Sequence, residues 1–469
     1  MQRILLASAS ALAFLAAVPA LAQDNDSTVT QTGTDAVATV TQSGSAAAST
    51  VTQGGDNNAA TVTQSGNGAE SIVLQDNGTG GGSNASDDNN SATVDQTGDS
   101  WSRVRQYNDN ADAQVTQNGD GNSSDILQTG DNDDAFVDQQ GSDLTSTIAQ
   151  SGNSNDANVS QSGDTNQSGI IQSSGANVAI VTQEGSLNES SILQNGLGLN
   201  TANVEQTGED NDSQITQGGI ANDAGDDATV RGVFQSGDRN SSQISQSGGL
   251  QDAAVRQTGD DNDSQITQGG SLGAAHYADV DQSGNGNGSV ISQAGALSDA
   301  LVDQSGNDNG STVTQGVLGS HLADVDQSGN DNSSTVTQYG WSQAAYVDQV
   351  GDGNTSSIDQ GTALNGSDQY ASVAQNGDDG MSTITQRGQD QRAELTQGGL
   401  SNESFIDQSG SDHLAEVTQD GADNYSSVIQ SGSGSSATVT QTSDLNNSFV
   451  NQSGNGHSAT VVQGSTGAM

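Results

Sequence analysis

Residues 302–315 read Val302-Asp303-Gln304-Ser305-Gly306-Asn307-Asp308-Asn309-Gly310-Ser311-Thr312-Val313-Thr314-Gln315, and residues 325–338 return as Val325-Asp326-Gln327-Ser328-Gly329-Asn330-Asp331-Asn332-Ser333-Ser334-Thr335-Val336-Thr337-Gln338. In each stretch a Val-x-Gln recurs after eleven residues, with Gly-x-x-Asn between the two copies. Ser311, Val313 and Gln315 alternate with other residues, a period of two that sets them on one face of a strand. The β-branched Val302, Val313, Val325 and Val336 suit that pleated geometry. Gly306 and Gly329 supply the positive φ that a tight turn needs, and Asn309 and Asn332 are turn formers that bond nearby backbone. One unit is therefore a short strand followed by a tight turn.

Working outward, the same register holds along the chain. The glutamine series starts at Gln31, Gln42, Gln53 and Gln64, passes Gln128, Gln304, Gln315, Gln327 and Gln338, and ends at Gln463. It has 38 members and 37 gaps, of which 30 are eleven residues long. Every member has Val, Ile or Leu two residues earlier, and 31 have Gly two residues later. Four residues before the glutamine usually stands Ala or Ser, as in Ala60, Ser124, Ala300 and Ser334. Such self-similarity marks a repeat architecture before any other feature is weighed. An amphipathic helix would instead space its apolar residues at i, i+3, i+4 and i+7. Tandem hairpins would expose two faces with too little apolar area to hold them. Disorder predicts no phase coherence between valine and glutamine over such a length. The pattern predicts an all-β fold, a β-solenoid.

The repeat also beats at 22 residues, since Asp precedes the glutamine on every second unit at Asp281, Asp303, Asp326 and Asp348. Two short strands per 22-residue coil, on two opposed sheets, explain the beat, and 38 units then make about 19 coils. At the β spacing of about 4.8 Å those coils would span roughly 90 Å. Longer gaps follow Gln75, Gln194, Gln217, Gln268, Gln315 and Gln360, all odd-numbered members of the series, so the extra residues are expected along a single edge. The predicted organisation is a signal peptide over 1–22 and a solenoid over 23–469, with inserted loops at 76–95, 218–234, 269–281 and 361–374. Inside, the glutamines and asparagines would form amide columns that satisfy one another from rung to rung.

Composition narrows the function classes. Only 30% of the 469 residues are hydrophobic and 3% aromatic, with 61 glycines and a single proline, so a conventional globular core is out of reach. Eight basic residues against 58 acidic ones, a formal net charge of -50, oppose nucleic-acid binding. The absence of cysteine removes disulfides and thiolate metal sites. Arg3, the apolar run Ile4 to Val18 and Ala20-Leu21-Ala22 have the layout of a cleaved secretory signal, which predicts a secreted protein placed in an extracellular fibre or at the cell surface.

The unit Ser-x5-Gln-x-Gly-x-x-Asn-x-(Ala/Ser)-x-Val-x-Gln resembles the curlin repeat of bacterial curli-type functional amyloid subunits. Good matches run from Gln304 through Gly306, Asn309, Ser311 and Val313 to Gln315, and from Gln327 through Gly329, Asn332, Ser334 and Val336 to Gln338. The resemblance covers nearly the whole mature chain. It implies β-solenoid subunits that polymerise outside the cell into adhesive fibres of the biofilm matrix. It also implies export through an outer-membrane secretion pore with accessory and nucleator proteins. The chain departs from that family in its many units and its acidity.

Physical reasoning supports a homopolymer: a solenoid ends in unpaired strand edges, and head-to-tail coil stacking would continue the same ladders. The Asp303, Asp326 and Asp348 column opposes this by like-charge repulsion, so acid, salt or divalent cations are expected to hasten assembly. No catalytic set, cofactor site or metal site is expected; His276, His321, His413 and His457 are scattered. Asp260-Asp261-Asn262-Asp263 and Asp226-Asp227 carry oxygen ligands suited to weak divalent-cation binding, though solvated turns are the plainer reading. Two rivals are a monomeric solenoid adhesin or spacer at the cell surface and an ice-binding protein. The second rests on threonine pairs such as Thr39-x-Thr41 and Thr61-x-Thr63, a pattern broken at Ser71-Ile72-Val73-Leu74.

Overall fold

The computed structural model describes residues 24–75, 89–224, 232–270, 275–316, 319–362 and 366–464. The expected signal peptide, residues 1–22, and much of the 76–95 insertion lie outside them. The chain divides into two compact units, 1–148 and 149–469. Both are all-β, and both are wound as solenoids.

In the first unit Asp26–Gln31, Ala48–Gln53, Glu70–Gln75, Trp101–Gln106 and Ser123–Gln128 form one parallel sheet. Val37–Gln42, Ala59–Gln64, Ser91–Thr97, Asp112–Asn118 and Asp134–Ser142 form the other. Each strand pairs with the next strand but one. Two strands per coil is the arrangement that the 22-residue beat predicts.

The second unit repeats the scheme. Asp299–Asn307 pairs with His321–Asn330, placing Val302 beside Val325 and Gln304 beside Gln327. Gly310–Gln315 pairs with Ser333–Gln338 in the same way, Val313 beside Val336 and Gln315 beside Gln338. Because the buried small residue, valine and glutamine each meet their own kind one coil on, a register slip by one residue would turn the whole buried set outward.

The two sheets differ in a way the beat of aspartates only hints at. Four residues before the glutamine, one sheet always carries serine: Ser49, Ser71, Ser102 and Ser124 in the first unit, Ser264, Ser311 and Ser448 among many in the second. Among the described residues the other carries alanine, as at Ala60, Ala92, Ala113, Ala300, Ala323 and Ala437. The buried isoleucines, among them Ile126, Ile215 and Ile384, belong to the serine sheet, while the alanine sheet uses valine and, once, Leu395. A larger side chain on one wall thus accompanies a fixed pattern of small ones, which keeps the layer between the sheets dense.

This segregation relocates one insertion. Counting four residues back from Gln235 gives Arg231, yet the residue that pairs with Ala202 is Ala224. Val204 then pairs with Val233. The strand Asp212–Ile220 and the turn after it keep ordinary form, so the extra residues of the 218–234 stretch enter between the alanine and the valine of one strand. The strands Tyr277–Ser283 and Tyr370–Gln375 begin inside the 269–281 and 361–374 stretches and run past their ends.

Turns close on two backbone features. Gly306 and Gly329 have φ of 115° and 117°, and the residue before the asparagine, Asp308 or Asp331, is left-handed at 55° and 57°. A Cβ on Gly306 would stand 1.9 Å from the Gly329 carbonyl oxygen, and one on Gly329 2.0 Å from that of Gly351. The glycine is therefore required by stacking as well as by φ.

Candidate functional site: the ladders and their ends

Buried amides run through both units. Gln304 donates from Nε2 to Gln327 Oε1 at 2.8 Å, and Gln327 to Gln349 Oε1 at 2.7 Å. Gln315 donates to Gln338 Oε1 at 3.0 Å, and Gln338 to Gln360 Oε1 at 3.0 Å. Second protons go to backbone carbonyls, Gly288 for Gln304 and Asp299 for Gln315. In the first unit Gln31 donates to Gln53, Gln42 to Gln64 and Gln53 to Gln75. Gln64 donates to Gln96, and Gln128 donates to the carbonyls of Asp112 and Asp133. Each of these donations from glutamine to glutamine points toward the later coil.

The asparagine column points the other way. Asn309 donates its backbone N–H and Nδ2 to Asn287 Oδ1, both at 3.1 Å. Asn332 N–H donates to Asn309 Oδ1 at 3.1 Å, and Asn354 N–H to Asn332 Oδ1 at 3.0 Å. Nδ2 also seals the turn, reaching the Gly329 carbonyl from Asn309 and the Gly351 carbonyl from Asn332. Buried amides satisfied on both sides avoid the cost of an orphaned polar group.

Histidine enters the same slot. His413 Nε2 contacts the Ser409 carbonyl at 3.1 Å, and Ser435 N–H donates to His413 Nδ1 at 3.3 Å. His276 contacts the Gly269 carbonyl and accepts from Ser298 N–H in the same way. These contacts define a neutral ring protonated at Nε2, standing in for an asparagine. Burial pushes the His276 imidazole below its ordinary range. His321 occupies the slot too, also buried, while His457 is exposed and bonds the Ser453 carbonyl.

The ends of the ladder are open among the described residues. Val29 is 46% exposed where its neighbour Val51 is 0% exposed. The strand Asp26–Gln31 is exposed along its length, and Val37–Gln42 and Ser458–Gln463 are exposed at every second residue. At the first coil Gln31 and Gln42 present Oε1. At the last, Gln452 and Gln463 donate to the carbonyls of Ser436 and Asn447, and no later glutamine follows among the described residues.

On the outer face of the alanine sheet Asp281, Asp303, Asp326 and Asp348 lie in register on adjacent strands. Burial, joined by Asp324, Asp303 and Asp348, pushes the Asp326 carboxyl up to about 6. Asp303 is raised as well, chiefly by burial and then by Asp281. The Asp260–Asp263 stretch does not converge. Asp260 accepts from Asp238 N–H, Asp261 pairs with Arg239, and Asn262 joins the asparagine column. Among the described residues no group of three or more His, Asp or Glu is placed to hold a metal ion. Asp226 and Asp227 lie outside them.

Sequence reasoning passed over the strict serine and alanine sheets, although the signal was present once the glutamines were aligned. It also read the histidines only as scattered, when each stands six residues before a glutamine of the series, where the asparagine stands. Comparison with known families finds the curlin-associated repeat at residues 109–141, 125–152, 152–185, 237–270, 273–306, 319–340, 388–421 and 414–442. No curated protein matches the chain.

Proposed function

Because this chain belongs to the curlin-associated repeat family, we propose that it is a structural subunit of extracellular amyloid-like fibres, growing by seating the first coil of one copy on the last coil of another. The observation that carries this reading is the match between the open ends. Laid in register, Ser27, Val29 and Gln31 meet Ser448, Val450 and Gln452 on the serine sheet, and Ala38, Val40 and Gln42 meet Ala459, Val461 and Gln463 on the alanine sheet. Glutamine donors then meet glutamine Oε1 acceptors, while Asn446 Oδ1 faces the Asn25 backbone N–H. Two last coils would set donors against donors and two first coils acceptors against acceptors, so growth has one polarity.

Adhesion and support of a biofilm matrix are the uses we assign to such fibres, with export guided by residues 1–22 through an outer-membrane pore and growth begun by a nucleator. The net charge of -50 favours a second reading, a monomeric surface adhesin or spacer. Thioflavin kinetics and electron microscopy of the mature chain separate them. Seeded elongation that Val29→Lys abolishes supports the fibre, whereas a chain that stays monomeric at high salt supports the adhesin.

A further inference from the structure

The two edges of the second unit are chemically unlike. One edge holds the turns that leave the serine sheet, and over five of them the chain reads 195–200, 218–222, 247–251, 294–298 and 339–343. These residues contain no Asp, Glu, Lys or Arg. They carry Leu197, Leu199, Leu250, Leu297 and Trp341, exposed by 68%, 60%, 57%, 58% and 56%. Ile220 adds a half-buried side chain. Three of the turns are stacked directly: Ala221 N–H donates to the Gly198 carbonyl and Leu250 N–H to that of Ile220. The opposite edge of the same coils carries Glu209, Asp210, Asp238, Asp260, Asp261, Asp308, Asp331 and Asp352.

Backbone strain marks the same positions. The residue before the asparagine slot is left-handed, a conformation that suits Gly, Asn and Asp and that bulky side chains rarely adopt. Leu199, Leu250 and Leu297 hold it at φ of 59°, 60° and 57°. A leucine there is both strained and exposed, so neither turn geometry nor burial accounts for it. Leu187 and Leu445 share the conformation on the opposite edge, but singly, beside Glu184 and Asp444.

We infer that this uncharged ridge is a lateral interface on which a second copy of the chain seats its own ridge, so that fibres are paired filaments. Clustered exposed apolar side chains mark an interaction surface, and Leu197, Leu199 and Leu250 lie on the three directly stacked turns. The occupant follows from charge. Approach by the opposite edge or by the outer face of the alanine sheet brings the acidic turns or the Asp303, Asp326 and Asp348 column against their equivalents, while ridge on ridge keeps these apart and meets carboxylates only at its rim, at Asp223, Asp252 and Asp299. A two-fold axis makes the contact self-complementary, residue to residue. The inference rests on the fibre reading for its filament readout, but the contact itself exists between soluble copies.

The test is a variant with Leu197→Asn, Leu199→Asn, Leu250→Asn and Leu297→Asn. Asparagine is at home in the left-handed turn, so the variant should fold at least as well as the parent. Mass per unit length of its fibres should fall about two-fold by electron microscopy, with seeded elongation unchanged. Sedimentation of the soluble chain should shift from dimer to monomer. Leu187→Asn with Leu445→Asn should leave both readouts unaltered. Unchanged mass per length and sedimentation in the ridge variant overturn the interface. So does flotation of the parent monomer with phosphatidylcholine vesicles that the ridge variant loses, which would assign the ridge to a lipid surface. Failure of the parent to form fibres counts against the fibre reading alone.

Discussion

Gln327 accepts from Gln304 and donates to Gln349, so each buried amide depends on both neighbours. Gln327→Leu would leave the Gln304 amide without its side-chain acceptor and Gln349 Oε1 without a donor. At about 1–3 kcal/mol for each of these two unsatisfied buried groups, the expected loss is about 2–6 kcal/mol, read as a lowered urea midpoint. The serine column predicts the reverse sign. The hydroxyls of Ser242, Ser264 and Ser289 are buried and unbonded among the described residues. Ser264→Ala should therefore be neutral or stabilise by about 1 kcal/mol. A loss of that size would show that the hydroxyl has a partner. The glutamine and valine positions were legible because the two-residue offset between them never changes and most gaps are eleven residues. The role of His413 was not, since histidine mimics asparagine only through which nitrogen faces the next coil. His413→Asn should keep stability within about 0.5 kcal/mol, and His413→Leu should not.

At the scale of the element, the turn and the strand face respond to different variables. Gly329→Ala combines a forbidden φ with a collision against the Gly351 carbonyl, so it should cost about 2 kcal/mol or more. The aspartate face of the alanine sheet responds to pH. An Asp326 carboxyl pushed up to about 6 ionises later in the fold than in the unfolded chain. Its contribution is fully present below pH about 3.9 and is lost as pH rises through about 6. His276, held below its usual range by burial, has the opposite sign: its contribution is present above the unfolded value and lost as pH falls. Urea midpoints between pH 4 and 7 should therefore change less with pH in Asp326→Asn than in the parent. An equal pH slope in the two would remove Asp326 from the account. The strand insertion near Ala224 shows where sequence reading ends: a period counts added residues but cannot say whether they enter a turn or a strand.

For the whole molecule, little apolar mass is offset by repetition, since each coil buries its valine, its small residue and its amides against an identical set. A net charge of -50 keeps copies apart until something screens or protonates it, so elongation is expected to quicken with salt and below pH about 6. Rates independent of both would contradict that role for charge. The claim on which the rest depends is that the coil within a molecule and the junction between molecules share one geometry. Cryo-electron microscopy of fibres grown from the mature chain tests it directly. The account predicts a rise of about 4.8 Å for each two-strand coil, with strands Asp26–Gln31 and Asn447–Asn455 of successive copies paired across an uninterrupted glutamine ladder. Density in which each strand instead pairs with the identical strand of the next copy would contradict it.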